Sequence, residues 1–179
     1  VEEFVDGTMI NVFNYKGTWH ISTRSNIGAN CRWFSDKNFS EMFDEAKGSL
    51  DFNKLDVNCN YSFVLRHPEN RIVKSYSVAD LVLVQVVSIG ENSIILNNIS
   101  QVQNELKSRG MDITIPKQYD NLNLEKIIQL LADMDYHEQG IVFKYNGLRS
   151  KLRNEKYNYV KGLRGNNPKT FYNYIELRN

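Results

Sequence analysis

The segment that most constrains the fold is residues 81–89, Leu-Val-Leu-Val-Gln-Val-Val-Ser-Ile, in which only Gln85 and Ser88 are polar. β-Branched side chains favour extended backbone, and a strand that is apolar on both faces is buried within a sheet. We therefore predict a strand over 81–89 in the middle of a sheet. A turn at 90–92 and a further strand over 93–96 would place a partner beside it.

Alternating apolar and polar residues, bounded by turn residues, indicate further strands in both halves of the chain. These strands are predicted at 8–13, 19–23, 61–65, 71–74, 140–144 and 147–153, with turns at 14–17 and 67–70. Apolar residues at helical spacing indicate helices, and Asn38 precedes the first of them as a candidate N-cap. The helices are predicted at 39–46, 100–109, 123–134, 154–163 and 170–177, with a loop at 164–168 between the last two.

These elements describe an α+β domain built on antiparallel sheets with flanking helices. A chain of 179 residues can bury the core of one domain, so we assign residues 1–179 to a single domain. Val1 is not a natural start, and we expect that an N-terminal segment is missing.

No apolar run reaches the roughly 18 residues that span a bilayer. Cys31 and Cys59 lack a metal-type spacing, and we predict buried free thiols rather than a disulfide.

The last fifth of the chain combines positive charge with aromatic residues. From Lys144 to Asn179 there are nine lysines and arginines against Glu155 and Glu176, a net charge of +7, although the whole chain carries only +1. The aromatic residues of this stretch are Tyr145, Tyr157, Tyr159, Phe171, Tyr172 and Tyr174. Basic residues interleaved with aromatic ones suit RNA, and the candidate RNA-binding residues are Arg149, Lys156, Lys161 and Arg164. The alternative is a solvated helix face whose tyrosines pack inward.

Five short blocks follow one another across nearly the whole chain. They are Phe4-Val5-Asp6-Gly7-Thr8, Ser22-Thr23-Arg24-Ser25, Tyr61-Ser62-Phe63-Val64-Leu65 with Pro68-Glu69-Asn70-Arg71-Ile72-Val73, Gln139-Gly140-Ile141-Val142, and Lys151-Leu152-Arg153. Their order resembles the RNA-ligase branch of the covalent nucleotidyltransferases, the superfamily of DNA and RNA ligases and mRNA capping enzymes. Each block alone is a weak signal, but five in order, with the Pro68 to Val73 block nearly intact, make a stronger one.

The resemblance implies a nucleotide pocket between two antiparallel sheets with flanking helices. In the family, a Lys-x-Asp-Gly block carries the nucleophilic lysine, a Thr-Arg-Gly element contacts ribose and phosphate, and a Lys-x-Lys pair reaches the α-phosphate. Carried onto this sequence, the nucleotide- and phosphate-binding residues are Phe4, Asp6, Gly7, Arg24, Lys151 and Arg153, with Phe4 near the base or sugar. The expected partners are ATP or GTP and RNA, with no membrane. The expected location is cytoplasmic, which means the host cytoplasm or the virion for a viral protein.

Three former catalytic positions depart from the family pattern. Phe4 stands where the nucleophilic lysine belongs, and Val64 and Gln139 stand where the family has carboxylates. Covalent nucleotidyl transfer needs a deprotonated amine at the α-phosphorus and a divalent metal held by hard oxygen ligands. We therefore predict no catalytic residue, no metal site and no required cofactor, with Mg²⁺ needed only by an active enzyme. Because Lys151 and Arg153 remain, the pattern favours binding of a nucleotide, an RNA 5′ end or a cap without chemistry.

Alternatives stay open from the sequence alone. A shift of one residue would bring Glu138 into the position of Gln139, and Lys16 is a candidate substitute nucleophile. The chain could then be an active RNA ligase or nucleotidyltransferase that uses an unrecognised lysine. It could also be a structural, viral scaffold that kept the fold. Purely structural roles for the retained residues are a bend at Asp6 and Gly7, an ion pair of Arg24 with a local carboxylate such as Glu69, and a turn at His67.

Overall fold

The computed structural model describes residues 1–145, 147–165 and 170–178. The chain forms two compact units. The larger comprises Gly7–Arg71 and Tyr76–Pro116, and the smaller comprises Val1–Asp6, Ile72–Ser75 and Lys117–Asn179. The assignment of residues 1–179 to one domain stays a prediction.

The predicted α+β class, with two antiparallel sheets and flanking helices, is confirmed. The strands are β1 (Glu2–Glu3), β2 (Thr8–Tyr15), β3 (Thr18–Ser22), β4 (Cys59–Arg66), β5 (Asp80–Ile89), β6 (Ile94–Leu96), β7 (Gly140–Tyr145) and β8 (Leu148–Arg153). The helices are α1 (Phe39–Ala46), α2 (Ile99–Ser108), α3 (Leu124–Asp133), α4 (Glu155–Arg164) and α5 (Thr170–Arg178), with a 3₁₀ turn at Phe52–Lys54. Of the predicted loop at 164–168, residues 166–168 lie outside the described residues. Among the described helices, none is long and apolar enough to cross a membrane.

The larger unit is built on a five-stranded antiparallel sheet in the order β3-β2-β4-β5-β6. The strands predicted at 8–13 and 19–23, with the turn between them, form a hairpin of β2 and β3, in which Asn11 lies opposite Ser22. Strand β5 lies between β4 and β6, as its apolar sequence requires. Leu81 and Leu83 of this strand are 5% and 0% exposed, so the segment that most constrains the fold is also part of the main core.

Helix α1 contributes its apolar side to this core. Met42 is fully buried in one cluster with Phe63 and Leu65 of β4. At the start of the helix, Asn38 Oδ1 accepts a hydrogen bond from the Glu41 amide at 2.9 Å, and the Glu41 carboxylate accepts one from the Asn38 amide at 2.7 Å. This reciprocal capping box confirms the predicted N-cap and fixes the end of the helix.

The smaller unit is built on a three-stranded antiparallel sheet in the order β1-β7-β8. Glu2 lies opposite Val142, and Val142 lies opposite Lys151. Helix α4 contributes Tyr157, which is fully buried. Helix α3 forms where it was predicted, but none of its residues, all of which the structure describes, is buried, and Ile128 is 60% exposed.

The predicted strand at 71–74 is wrong, because residues 72–74 form a bend and none of the four residues lies in a strand. The amides of Val73 and Lys74 donate to Oδ2 of Asp6, at 3.1 and 2.9 Å. Buried backbone amides need a partner, and here a carboxylate takes the place of a neighbouring strand. The local sequence Arg-Ile-Val-Lys could not reveal this, since the acceptor of the Val73 amide lies 67 residues away in the chain.

Asp6 joins the segments of the smaller unit. Its side chain is buried, with the residue only 4% exposed. Besides the two amides, the carboxylate accepts a hydrogen bond on Oδ1 from the hydroxyl of Tyr157 at 2.9 Å. One carboxylate therefore connects the N-terminal segment, the bend at 72–75 and helix α4.

We predict that Tyr157→Phe lowers the free energy of unfolding by ~1.5–3 kcal/mol, the range for a hydrogen bond to a charged group. The ring stays in place, but the buried Asp6 carboxylate loses one donor. Urea unfolding of the purified variant measures the change. Tyr159→Phe is the matched control, because Tyr159 lies on the same helix and is 70% exposed; equal effects of the two changes would contradict the prediction.

Candidate nucleotide-binding site

One face of the three-stranded sheet gathers the first, fourth and fifth sequence blocks. The Phe4 amide donates to the Gly140 carbonyl at 2.9 Å, which continues the pairing of β1 with β7. Arg153 lies opposite Gly140, and Lys151 lies opposite Val142. Because directly opposed residues of antiparallel strands share a face, Phe4, Lys151 and Arg153 lie on the same side of the sheet.

The Phe4 ring contacts both cations of the fifth block. Lys151 Nζ lies 5.5 Å from the ring centroid, and Arg153 Cζ lies 5.9 Å from it. Both distances fall within the range of cation–π attraction. The structure thus brings the ring of Phe4 together with the basic pair Lys151 and Arg153, and their role in nucleotide binding stays a prediction.

A carboxylate that the sequence analysis missed lies on this face. Glu2 Oε1 lies 2.5 Å from Lys144 Nζ, and Glu2 is only 5% exposed. The ion pair offsets one of the basic charges on this face of the sheet. Strand alternation places Glu2 on the face of Phe4, two residues later, but only the structure identifies Lys144 as its partner.

Gly140 allows the close approach of β7 and β8 at this point. Its φ of +131° is rare for residues with a side chain, and a Cβ there would lie 2.1 Å from the Leu152 carbonyl oxygen. The same Cβ would lie 2.9 Å from the Arg153 Cα. The glycine of the fourth block is therefore required by packing, and it sets the backbone position of Arg153.

The residue before this glycine is buried, and the alternative register is not supported. Gln139 is 9% exposed, and its carbonyl accepts the Asn154 amide at 3.1 Å. Glu138 is exposed, and its carboxylate accepts the amide of Asp135 at 3.0 Å. The inward position thus belongs to the neutral amide Gln139, while the neighbouring carboxylate closes a turn.

Asp6 and Gly7 both have structural roles. Both oxygens of the Asp6 carboxylate accept hydrogen bonds from the protein. Gly7 has a φ of +152°, and a Cβ there would lie 2.4 Å from the Leu65 carbonyl oxygen and 2.6 Å from Val64 Cγ1. The bend foreseen at Asp6 and Gly7 is real, and their contact with a ligand stays a prediction.

Val64 and Arg24 belong to the larger unit. Val64 is 7% exposed and alternates along β4 with Phe63 and Leu65 of the main core, so it lies on the other face of the sheet. Arg24 lies exposed in a turn that Thr23 closes by accepting the Asn26 amide on Oγ1 at 3.0 Å. The turn holds the guanidinium at the surface.

The structural alternative for Arg24, an ion pair with Glu69, does not form. Glu69 instead binds Lys37 at 2.7 Å, and Lys37 also binds Glu45 at 2.8 Å. Hydrogen bonds from Lys37 hold the pKa of both carboxyl groups below its ordinary value, and the two carboxylates raise the pKa of Lys37. Among the described residues, no carboxylate forms an ion pair with Arg24.

His67 belongs to the same network and has a structural role, as predicted. It is 3% exposed, and its Nδ1 accepts the amide of Glu69 at 3.1 Å. The proton therefore resides on Nε2, which donates to the Glu45 carboxylate at 3.0 Å. The imidazole fixes the turn of the nearly intact third block against helix α1.

The candidate RNA-binding residues separate into two groups. Arg149 lies on β8, whose six residues are all exposed, and Lys161 and Arg164 lie in the last turn of α4. Lys156 instead donates through Nζ to the carbonyls of Ala132 and Met134, at 3.0 and 2.9 Å, and closes the end of α3. Sequence could not separate these lysines, because the acceptors come from a segment more than twenty residues earlier.

The aromatic residues of the basic segment separate in the same way. Tyr157 is fully buried, which matches the alternative that tyrosines pack inward. Tyr159, Phe171, Tyr172 and Tyr174 are between 53% and 70% exposed. These four rings keep the exposure that base stacking requires.

The positions where the family has carboxylates offer few ligand atoms for a divalent metal. Within the ranges that the structure describes, no group of three or more His, Cys, Asp or Glu side chains could hold one. At the former carboxylate positions, Val64 offers no ligand atom and Gln139 offers one neutral oxygen, whereas Mg²⁺ favours carboxylates.

A cavity of about 250 Å³ in the larger unit is lined by none of the candidate site residues. It is lined in part by Cys59, Tyr61 and Arg109. Burial raises the pKa of Tyr61 to about 12, so its hydroxyl stays protonated at neutral pH. Cys59 is a buried free thiol, as predicted, whereas the predicted burial is wrong for Cys31, a free thiol that is partly exposed.

We predict that Gly140→Ala destabilises the protein by ~2–5 kcal/mol, because the added methyl group would collide with the backbone of β8 at an unfavourable φ. Gly162→Ala is the control, since a Cβ at that position of α4 meets nothing within 4 Å. In a helix interior this change should stabilise by ~0.5–1 kcal/mol. Thermal and urea unfolding measure both variants, and a neutral Gly140→Ala would contradict the packing account.

Comparison with known proteins adds independent evidence on the fold. An RNA ligase mutant from Naegleria gruberi, solved with AMP and Mn, superposes with a TM-score of 0.64 at 16% identity, over 90% of this chain and 50% of the ligase chain. A putative ATP-dependent DNA ligase from Aquifex aeolicus superposes with a TM-score of 0.59 at 16% identity, over 88% of this chain and 44% of that one. The structural neighbours are thus ATP-dependent DNA and RNA ligases, and the chain has the covalent nucleotidyltransferase fold that the sequence blocks indicated.

The curated relatives are viral proteins. The “Immediate-early protein ICP-46 homolog” of Invertebrate iridescent virus 3 is 24% identical over 97% of this chain and 38% of its own length. The “Putative bifunctional polynucleotide kinase/RNA ligase” of Autographa californica nuclear polyhedrosis virus is 34% identical over 41% of this chain and 12% of its own length. No family model matches the chain. The chain spans well under half the length of either relative.

Proposed function

We propose that the protein is a degenerate RNA-ligase-like domain that binds a nucleotide, or the 5′ end or cap of an RNA, without forming a lysyl-nucleotide. The observation that carries this proposal is the Phe4 ring beside Lys151 and Arg153. The position that would hold the nucleophilic amine has lost it, while the cations that suit a phosphate remain. Gln139 in place of a carboxylate weakens any hold on a catalytic metal.

The comparisons support the ligand class. Solved neighbours were determined with ATP and Mn or with AMP and Mn. One viral relative is named as an RNA ligase joined to a polynucleotide kinase. Both curated relatives are viral, which also supports a viral source for this chain and a place of action in the host cytoplasm.

RNA would extend from the nucleotide over the basic C-terminal segment. Arg149, Lys161 and Arg164 supply charge there, and Tyr159 and Tyr172 supply exposed rings. Lys156 contributes to the end of α3 rather than to this surface. Ring stacking and phosphate contacts together give binding that tolerates sequence and weakens with salt.

We expect no covalent adduct when the protein is mixed with labelled ATP or GTP and Mg²⁺ or Mn²⁺ and then denatured, because position 4 offers no amine. A wild-type RNA ligase run in parallel shows that the assay detects a lysyl-nucleotide. A stable adduct would overturn the proposal and favour an active enzyme. Peptide mapping of the modified lysine, with Lys16 among the residues checked, would then identify the nucleophile.

We expect saturable binding of nucleotides and short RNAs that weakens as salt rises. Replacing both Lys151 and Arg153 by glutamine should weaken it by on the order of ten- to a hundred-fold, ~1.4–2.8 kcal/mol. Lys126→Gln is the control, because Lys126 lies exposed on α3 of the same unit. Calorimetry or fluorescence anisotropy measures the affinities. The absence of saturable binding below millimolar concentration would favour a scaffold that kept only the fold.

A further inference from the structure

Phe4 has a geometry that a simple filler of vacated space would not need. Its ring lies within 6 Å of two cationic groups from one strand, Lys151 Nζ at 5.5 Å and Arg153 Cζ at 5.9 Å. Both residues belong to β8, all of whose side chains are exposed. Long exposed cationic side chains sample many rotamers, and attraction to a ring limits them. The ring therefore orients the two cationic side chains, which would otherwise repel each other and move apart.

The spacing of the two cations suits one phosphate group. Residues two apart on a strand share a face and lie about 6.6 Å apart along it. An ammonium and a guanidinium at this separation can approach different oxygens of the same phosphate. A guanidinium adds two parallel donors to that contact.

The charges on this face favour a dianion. Glu2 offsets the charge of Lys144, and of the three cations that β8 brings to this face, Arg149, Lys151 and Arg153, the last two lie beside the Phe4 ring. A phosphate monoester carries about 1.5 to 2 negative charges at neutral pH, whereas a diester linkage carries about one. Gln139 supplies no carboxylate that could help to hold a metal against the larger charge of a triphosphate.

We propose that Phe4 is a positioning residue that holds Lys151 and Arg153 as a clamp for a terminal phosphate monoester, and that the clamp works without a divalent metal. The inference rests on the proposed function and specifies its ligand. In this inference the Phe4 ring contacts the cations of the protein and does not stack on the base of the nucleotide. The substitution at position 4 then creates a binding feature as well as removing a nucleophile.

The test compares a nucleoside 5′-monophosphate with its nucleoside, using GMP with guanosine and AMP with adenosine. Calorimetry is performed in Mg²⁺ and again in EDTA. For the wild-type protein we expect the monophosphate to bind on the order of ten-fold more tightly than the nucleoside, as charge-assisted contacts to one phosphate predict. Replacing Mg²⁺ by EDTA should leave that ratio unchanged.

Three variants locate the effect. Phe4→Leu should reduce the ratio to near one, because the cations lose the surface that orients them. Phe4→Tyr should keep the ratio, because a ring remains. Phe143→Leu is the matched control, since Phe143 lies opposite Ser150, on the other face of the same sheet. Melting curves establish that each variant is folded, and Phe4→Tyr keeps the test decisive should Phe4→Leu unfold.

The outcomes separate the two proposals. A wild-type protein that binds neither ligand overturns the proposed function itself. Binding of both ligands with equal affinity, or loss of the ratio in EDTA, leaves the proposed function intact and overturns the clamp. A Phe4→Leu variant that loses nucleoside and monophosphate affinity in equal proportion also overturns the clamp, because that result assigns the ring to base stacking.

Discussion

The smaller unit depends on the Asp6 carboxylate. It is buried and accepts the amides of Val73 and Lys74 and the hydroxyl of Tyr157, so three segments distant in sequence meet at one charged group. A buried carboxylate is costly unless its oxygens are satisfied, and these donors satisfy both of them. The same residue lies two positions after Phe4. The bond network that holds the unit together therefore also fixes the strand end that carries the candidate site.

The three-stranded sheet explains how chemistry and binding can separate at this site. Phe4 pairs with Gly140, and the close approach at Gly140 places Arg153 opposite it. Under the proposed function, the loss of an amine and of metal-side carboxylates changes side chains only. The backbone pairing and the basic residues of β8 would then remain for a pocket that binds without reacting.

Much of the fold could be predicted because its signals are local. A short stretch of sequence is enough to recognise each of three elements, namely the apolar strand at 81–89, the hairpin at 8–23 and the helix cap at Asn38. The structure contains all three. The order of the five blocks indicated the nucleotidyltransferase fold, and the structural neighbours share it. The grouping of Phe4, Lys151 and Arg153 followed from that resemblance. The resemblance did not predict that the Phe4 ring contacts both cations.

The features that sequence missed depend on partners far along the chain. The segment 71–74 alternates like a strand, but its amides bind a carboxylate from the N-terminal segment. Lys156 resembles its basic neighbours, yet it caps a helix that ends more than twenty residues earlier. Glu2 pairs with Lys144 across two strands. In each case a charged side chain forms a hydrogen bond or an ion pair with a group that is distant in the sequence. A local sequence pattern cannot identify such a partner.

A crystal structure with a bound nucleoside 5′-monophosphate tests the central claim most directly. The account predicts a phosphate within hydrogen-bond distance of Lys151 and Arg153, with both cations still over the Phe4 ring and no covalent link from phosphorus to the protein. A phosphate bonded to a lysine nitrogen, or bound away from this pair, would contradict it.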